Sequence, residues 1–558
     1  GAETEGPQRA AELMVLSAHS EAALSEQAAR LGEHLRAHAE LGQYAVAQSL
    51  ASGRSAMEYR LALTATSREV LLGQLGSAAQ GQTPTGCSRG AANAGQGKLA
   101  FLFTGQGSQL PGMGRGLAAA WPVFDQAMQR CSEQFDRELK RPLREVMWAE
   151  PGSAEAELLE QTEYTQPALF ALEYALYQMW SAFGVKPDFV AGHSIGELVA
   201  ACVAGVFTLQ EAARLCAARG RLMQGLPAGG AMVAIAAPEA EVARAVAPHA
   251  EQVAIAAVNG PEQVVIAGES AAVAALAATF AARGVRTKPL TVSHAFHSPL
   301  MEPMLEPFRR VAETIRYQQP ELALLSNLSG DHASDAVCTA DYWVRHVREA
   351  VRFADGIKTL HDKGVNTFVE IGPQAMLLGL VPACLPEAEL ALFASLRREQ
   401  EEAASVLAAL GGLWTKGQPV AWSGVFPAGG PRVPLPTYPW QRERFWLSSR
   451  SSTAKPPRIA SDYYDSVTKL VQSAQGQRGP EQEQGLYLTF APFAQVVPDF
   501  SWLEVFARPK EYPELVQLMQ QRQLEMRQVL FRHVDFSACN RVLDFGCGLA
   551  SDLLRLAQ

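Results

Sequence analysis

The 558-residue chain is 48% hydrophobic and carries a net charge of −9. That is enough apolar material for roughly three to four packed domains, with no basic run of the kind that binds nucleic acid or an anionic membrane. Eight cysteines without a CxxC pair argue against a zinc site or a disulfide framework and fit reduced thiols in the cytoplasm. The first residues lack a signal-peptide pattern and no uncharged run reaches the ~18 residues of a membrane span, so a soluble protein is expected.

A short strand at 13–16, an amphipathic helix over 20–38, a second helix and a strand at 59–66 predict a small α/β unit. The Gly/Ala/Ser/Gln-rich stretch 76–97 then reads as a linker. The apolar run Lys98-Leu99-Ala100-Phe101-Leu102-Phe103 opens the largest segment, which extends to about residue 398. Buried strands alternate with helices there, predicting a parallel sheet covered on both faces. Inside it, strand 231–237, helix 238–247, strands 253–259 and 263–268, helix 270–283 and strand 285–292 form a βαββαβ run. That order predicts an inserted ferredoxin-like subdomain.

Beyond residue 415 prolines, glycines and aromatics predict an extended segment lying on other surfaces. Residues 448–458 read as a flexible joint, 512–533 as helix and 541–545 as strand, and no internal repeat is present.

Chemistry first shows at Gly192-His193-Ser194-Ile195-Gly196, between the buried strand Asp188-Phe189-Val190-Ala191 and a helix from Glu197. A strand, GxSxG and helix in succession make a nucleophile elbow. It sets Ser194 at a helix N-terminus, where free N–H groups favour developing negative charge. A serine needs a base. His297, in Val292-Ser293-His294-Ala295-Phe296-His297-Ser298, follows the last strand of the insert, but His294 competes with it and spacing does not separate the two. No aspartate lies between Ser194 and His297. A dyad whose imidazole is oriented by a backbone carbonyl is therefore expected rather than a triad.

Phe103-Thr104-Gly105-Gln106-Gly107-Ser108-Gln109, the GHSIGE elbow, Ala218-Arg219-Gly220 and the HAFH segment resemble the acyltransferase domains of polyketide synthases. They are also similar to the malonyl-CoA:acyl-carrier-protein transacylases of fatty acid synthesis. The resemblance spans roughly residues 13–447. It implies that Ser194 is the nucleophile, His297 the general acid/base, and Gln106 and Ile195 the backbone donors of an oxyanion hole. It further implies that Arg219 holds the substrate carboxylate, a task suited to a bidentate guanidinium, and that Gln166 in Tyr164-Thr165-Gln166-Pro167 lines the site. HAFH, from His294 to His297, goes in this family with malonyl units, Phe296 filling the space a methyl branch requires. The implied reaction passes malonyl from coenzyme A to the phosphopantetheine thiol of an acyl carrier protein, without a metal or cofactor. Ketosynthase and other polyketide synthase domains are the implied neighbours.

Near the C-terminus, Arg541-Val542-Leu543-Asp544-Phe545-Gly546-Cys547-Gly548 is a strand entering a glycine-rich turn, for which a nicotinamide site or a structural turn are alternatives. With Ser461-Asp462-Tyr463-Tyr464-Asp465 and Leu488-Thr489-Phe490-Ala491-Pro492-Phe493 before it, the region resembles the start of an embedded methyltransferase. Asp544, Gly546 and Gly548 would then touch S-adenosylmethionine. Because the chain stops a dozen residues on, methyl transfer by it alone is not expected.

The expected class is thus α/β. It comprises a ketosynthase–acyltransferase linker domain (1–96) and an acyltransferase (97–398). The latter has an α/β-hydrolase-like large subdomain and a ferredoxin-like insert at about 229–292. A post-acyltransferase linker (399–447) and a truncated Rossmann-like methyltransferase region (448–558) follow. The competing readings are a serine hydrolase, opposed by Arg219 and the missing aspartate, and a non-catalytic scaffold.

Overall fold

The computed structural model describes residues 9–92, 97–333, 335–430 and 432–441, with a few isolated positions between 510 and 521. The chain divides into units Gly1–Arg442 and Glu443–Gln558, and the three sheets formed by the described residues belong to the first. Of the helix expected at 512–533 only isolated positions up to 521 are described, and the strand at 541–545 and the residues Asp544, Gly546 and Gly548 lie outside the described residues.

The N-terminal unit is a three-stranded antiparallel sheet, β1 (Glu12–Ala18), β2 (Tyr59–Ala65) and β3 (Cys87–Ala91), in that order. Helices Glu21–Ala37 and Arg68–Ala79 start where Ser20 and Ser67 accept N–H bonds from Ala23 and Val70. Here the sequence expectation needs correction. The stretch 76–97 is not only linker, because it completes a helix and contributes β3. Cys-Ser-Arg-Gly-Ala has no hydrophobic alternation, so the strand is invisible locally and is made by its neighbours. It pairs with β2, and helix Glu402–Thr415 lies against it so closely that a Cβ on Gly90 would sit 3.0 Å from the Thr415 carbonyl. The same helix wedges between this sheet and the next through Gly411 and Gly412. Side chains there would meet Ala62 at 2.8 Å and Phe393 at 2.3 Å.

The central sheet is wholly parallel, in the order β10 (Ala323–Leu324), β5 (Phe189–Gly192), β4 (Lys98–Phe103), β11 (Val365–Ile371), β12 (Ala391–Ala394). Its inner strands, β5, β4 and β11, are buried almost throughout, as continuous apolar runs between two helical layers must be. The insert is a second, antiparallel sheet of β6 (Gly230–Ile235), β7 (Val253–Gly260), β8 (Gln263–Glu269) and β9 (Thr287–Pro289), in the order β7-β8-β6-β9. Helices Glu239–Val246 and Ser270–Ala282 close a small core around Val233, Ile235, Val242, Ile266 and Phe280. This is the ferredoxin-like βαββαβ order. The last strand is three residues long rather than the eight of 285–292, since beyond Leu290, whose N–H reaches Met232 O, the chain leaves the sheet for the nucleophile.

After one turn at Trp422–Val425 the proline-rich segment runs extended over the N-terminal unit. Val433 N–H donates to Ser49 Oγ at 3.0 Å, His34 Nε2 meets Pro434 O at 3.0 Å, and His19 N–H donates to Tyr438 Oη at 3.1 Å. Prolines suit this course because they hold the chain extended and present carbonyls without competing donors. Among the described residues no helix is long and apolar enough to cross a membrane.

Candidate active site

β5 ends at Gly192 and the next helix begins at Ile195, so the turn between them has two residues, His193 and Ser194. Ser194 adopts φ 54°, ψ −113°, a conformation an L-residue holds only when its surroundings enforce it. Glycine is required on both sides. A Cβ on Gly192 would lie 2.1 Å from Gly196 C, and one on Gly196 would lie 2.3 Å from Phe103 O.

Ser194 Oγ lies 2.8 Å from His297 Nε2. The other ring nitrogen, Nδ1, donates to Glu349 O at 2.8 Å, which leaves the Nε2 lone pair facing the serine hydroxyl. The imidazole is therefore oriented by a backbone carbonyl. His297 also has a positive φ of 56°, so both members of the pair sit on strained backbone. Burial pushes its pKa well below the usual 6.5, and the nearby Arg219 cation, His346 and His193 push the same way. The ring is thus neutral, ready to take a proton, throughout the physiological range. His294 is no rival: its Nε2 lies 3.1 Å from Leu226 O. Phe296 is buried between the two histidines in sequence, its ring 6.3 Å from that of His294.

Arg219 lies on helix Leu209–Gln224, which starts in a capping box of Thr208 and Glu211. It is 1% exposed, and its Nη2 donates to Ser194 Oγ at 3.0 Å. Burial lowers its pKa to about 10, opposed by Cys216 and Glu197, so it remains a cation at neutral pH. Gly220 brings this helix against helix Thr162–Ala182, where a Cβ would stand 2.9 Å from Thr162 O. That second helix carries Gln166, whose Nε2 reaches Gln106 Oε1 at 3.4 Å and Met223 Sδ at 3.3 Å. Gln106 Nε2 in turn donates to Thr162 Oγ1 at 3.3 Å. Ile195 is the first residue of its helix, and its N–H has no intrahelical acceptor.

The loop carrying Gln106 is braced from below. Thr104 Oγ1 donates to the fully buried Glu173 and accepts from Ser108 Oγ at 3.2 Å, while Ser108 Oγ lies 2.9 Å from Gly105 O. Burial raises the Glu173 carboxyl well above the usual range, against the opposing Thr104 bond.

Sequence reasoning missed a second layer of residues. Glu197 is fully buried behind the elbow, where it accepts Asn327 N–H at 3.0 Å and the Tyr342 hydroxyl. His346 Nε2 stands 3.1 Å from Glu197 Oε2, at ion-pair distance without the alignment of a hydrogen bond. A carboxylate inside the apolar run Ile195 to Val206 was the one available signal, since such a charge is rarely buried unless paired. Asn327 and Glu349 carried none.

A strained serine on an elbow, a neutral imidazole at its hydroxyl and a buried guanidinium beside both make up the machinery of a serine enzyme that can form an acyl ester. Residues 100–418 match the family described as "Acyl transferase domain", and residues 12–75 match "CurL-like, PKS C-terminal". The chain is 48% identical over 452 residues to polyketide synthase GfsA of Streptomyces halstedii, covering 80% of this chain and 6% of that protein. It is 48% identical, with a TM-score of 0.65, to the acyltransferase domain from the second module of the salinomycin polyketide synthase, covering 76% of this chain and 98% of that one. A type II polyketide synthase malonyl-transacylase solved with its acyl-carrier protein matches at 33% identity and TM-score 0.51, over 56% of this chain and 99% of that one. The chain belongs to the acyl transferase domain family. Within it, it is an acyltransferase of the modular type I polyketide synthase kind, and it spans between 6% and 26% of the length of eight curated relatives that it matches.

Proposed function

We propose that the domain moves malonyl from malonyl-CoA to the phosphopantetheine thiol of an acyl carrier protein through an ester on Ser194. The observation that carries this is the buried Arg219 guanidinium, which donates to the nucleophile itself. A buried cation at that point demands an anionic partner on the acyl group, and a free carboxylate matches a guanidinium in charge and shape.

In the first half-reaction His297 Nε2 takes the Ser194 proton as Oγ bonds to the thioester carbonyl carbon. The oxyanion is received by the N–H groups of Ile195 and Gln106, the C–S bond breaks, and His297 returns its proton to the departing thiol. In the second half the carrier thiol gives its proton to His297 and attacks the ester, and Ser194 leaves with that proton. No further group is called on. Intact-mass measurement after mixing with malonyl-CoA should show a malonyl adduct that passes to a carrier protein and is missing in Ser194→Ala. Accumulation of free malonate without an adduct would favour a hydrolase instead.

Phe296 is proposed to set the preference for malonyl over its methyl-branched homologue. Its replacement by serine should raise the methylmalonyl-to-malonyl ratio of kcat/KM by about 10- to 200-fold, the worth of one methylene in an apolar pocket. An unchanged ratio would remove Phe296 from specificity.

Several finer readings are supported by sequence resemblance. Residues 1–96 and 399–447 are proposed as linkers toward a ketosynthase, and 448–558 as the start of a methyltransferase using S-adenosylmethionine. The carrier-protein partner is further supported by the complexed malonyl-transacylase relative. A cytoplasmic location is supported by the free cysteines Cys87, Cys131, Cys202, Cys216, Cys338 and Cys384.

A further inference from the structure

β10 accompanies β5 for two residues, with Ala323 opposite Phe189 and Leu324 opposite Val190. The ladder continues one bond further, as Leu325 N–H donates to Val190 O at 3.0 Å. In a parallel ladder the next rung would come from residue 327, donating to the carbonyl before His193 and accepting from the N–H after it. Both bonds exist, but the backbone does not make them. Asn327 Nδ2 donates to Gly192 O at 2.7 Å, and Asn327 Oδ1 accepts Ser194 N–H at 2.8 Å. The side-chain amide, chemically a peptide group, stands in for the missing one.

The Asn327 backbone is thereby released for other work. Its N–H donates to Glu197 Oε2 at 3.0 Å, and its carbonyl accepts Arg352 N–H at 2.8 Å. One residue, 5% exposed, thus holds the start of the elbow at Gly192, the nucleophile at Ser194 and the following helix at Glu197.

We propose that Asn327 is the positioning residue of the nucleophile, a side-chain rung that extends the sheet past its last backbone rung and holds Ser194 in its strained conformation. This has two effects. Ser194 N–H is committed to Asn327, which leaves the oxyanion to the N–H groups of Ile195 and Gln106. And the restraint acts on the serine rather than on the substrate carboxylate, since Asn327 makes no hydrogen bond to Arg219 among the described residues.

The test rests on the proposed acylation of Ser194 and uses the whole chain. Acylation by malonyl-CoA is followed by rapid-quench intact mass in the parent, Asn327→Ala and Asn327→Asp. Asn327→Ala should acylate about a hundredfold more slowly, the scale of a misplaced nucleophile, with KM within about threefold of the parent.

Asn327→Asp gives the sharper signature. Ionised, it accepts from Ser194 N–H but opposes the Gly192 carbonyl. Protonated, its hydroxyl donates to that carbonyl and the rung is restored. Its surroundings are Glu197, with Tyr342 and His346 beyond it, Arg352 behind, and His193, His297 and Arg219 on the nucleophile side. Glu197 opposes its ionisation and the cations favour it. Its rate relative to the parent should climb at least tenfold from about pH 8 to about pH 5, as a carboxylate regains its proton. A folding defect alone would lower the amount of active protein without this dependence.

Should Asn327→Ala not fold, the pH series on Asn327→Asp decides. Acylation by Asn327→Ala within threefold of the parent, or an Asn327→Asp ratio that does not change with pH, overturns the proposal. A parent that takes no malonyl overturns the proposed function instead.

Discussion

Replacing His297 by asparagine is expected to slow acylation of Ser194 by about a hundred- to ten-thousandfold, the usual worth of a positioned general base. Asparagine is the right replacement because His297 occupies a positive φ of 56°, which asparagine tolerates and most residues do not. The loss then reports the missing imidazole rather than a rearranged loop. Stopped-flow release of coenzyme A measures it, and a variant within tenfold of the parent would mean that another group takes the proton.

The depressed pKa of the same ring has two further effects of opposite sense. Because the neutral form is the base, the acylation rate should stay level as pH falls below 6.5, the ordinary value, until the lower folded-state pKa is reached. Stability behaves differently. Below pH 6.5 the unfolded chain binds a proton at this histidine that the folded chain refuses. The stabilisation is therefore full above that pH and declines as pH falls through it toward the folded value. Thermal melts at stepped pH should show an acid-side decline that is smaller in His297→Asn.

Replacing Arg219 by alanine should lower kcat/KM for malonyl-CoA by about a hundred- to a thousandfold. That range corresponds to about 3–4 kcal/mol, as for truncating one partner of a buried charge pair. Acetyl-CoA, which has no carboxylate, should lose far less, so the preference between the two substrates is the diagnostic quantity. Arg219→Lys should recover little, because an ammonium cannot offer the paired, planar donors of a guanidinium. The arginine has a second duty that sharpens the expectation. Its Nη2 donates to Ser194 Oγ, and Glu197 acts on its charge from behind the elbow, so its removal also takes a donor from the nucleophile. Equal losses for malonyl and acetyl thioesters would assign Arg219 to the framework of the site rather than to the substrate.

What could be read from the chain alone was whatever rests on neighbouring residues. The elbow is one tight turn, and its glycines are dictated by contacts within it and with β4, so GxSxG between a buried strand and a helix already placed Ser194. Helix starts at Ser20, Ser67 and Thr208 follow from side chains three residues from the N–H they cap. The ferredoxin-like insert was legible because its strands and helices follow one another in sequence and bury their own small core. Resemblance in four ordered motifs added the roles expected of Arg219, Gln106 and Gln166.

Tertiary structure alone decided the rest. Whether His294 or His297 faces the serine depends on how the chain leaves β9, and the pair that forms spans 103 residues. The Asn327 rung spans 133 residues, and Asn327 stands in a segment, Leu-Leu-Ser-Asn, that has no periodicity of its own. β3 lacks alternation and exists because β2 and helix Glu402–Thr415 lie on either side of it. In each case the deciding hydrogen bond joins groups that are ordinary in their local context. Only the closed fold removes water from them and leaves one partner within reach, and for that reason no pattern in the chain announces them.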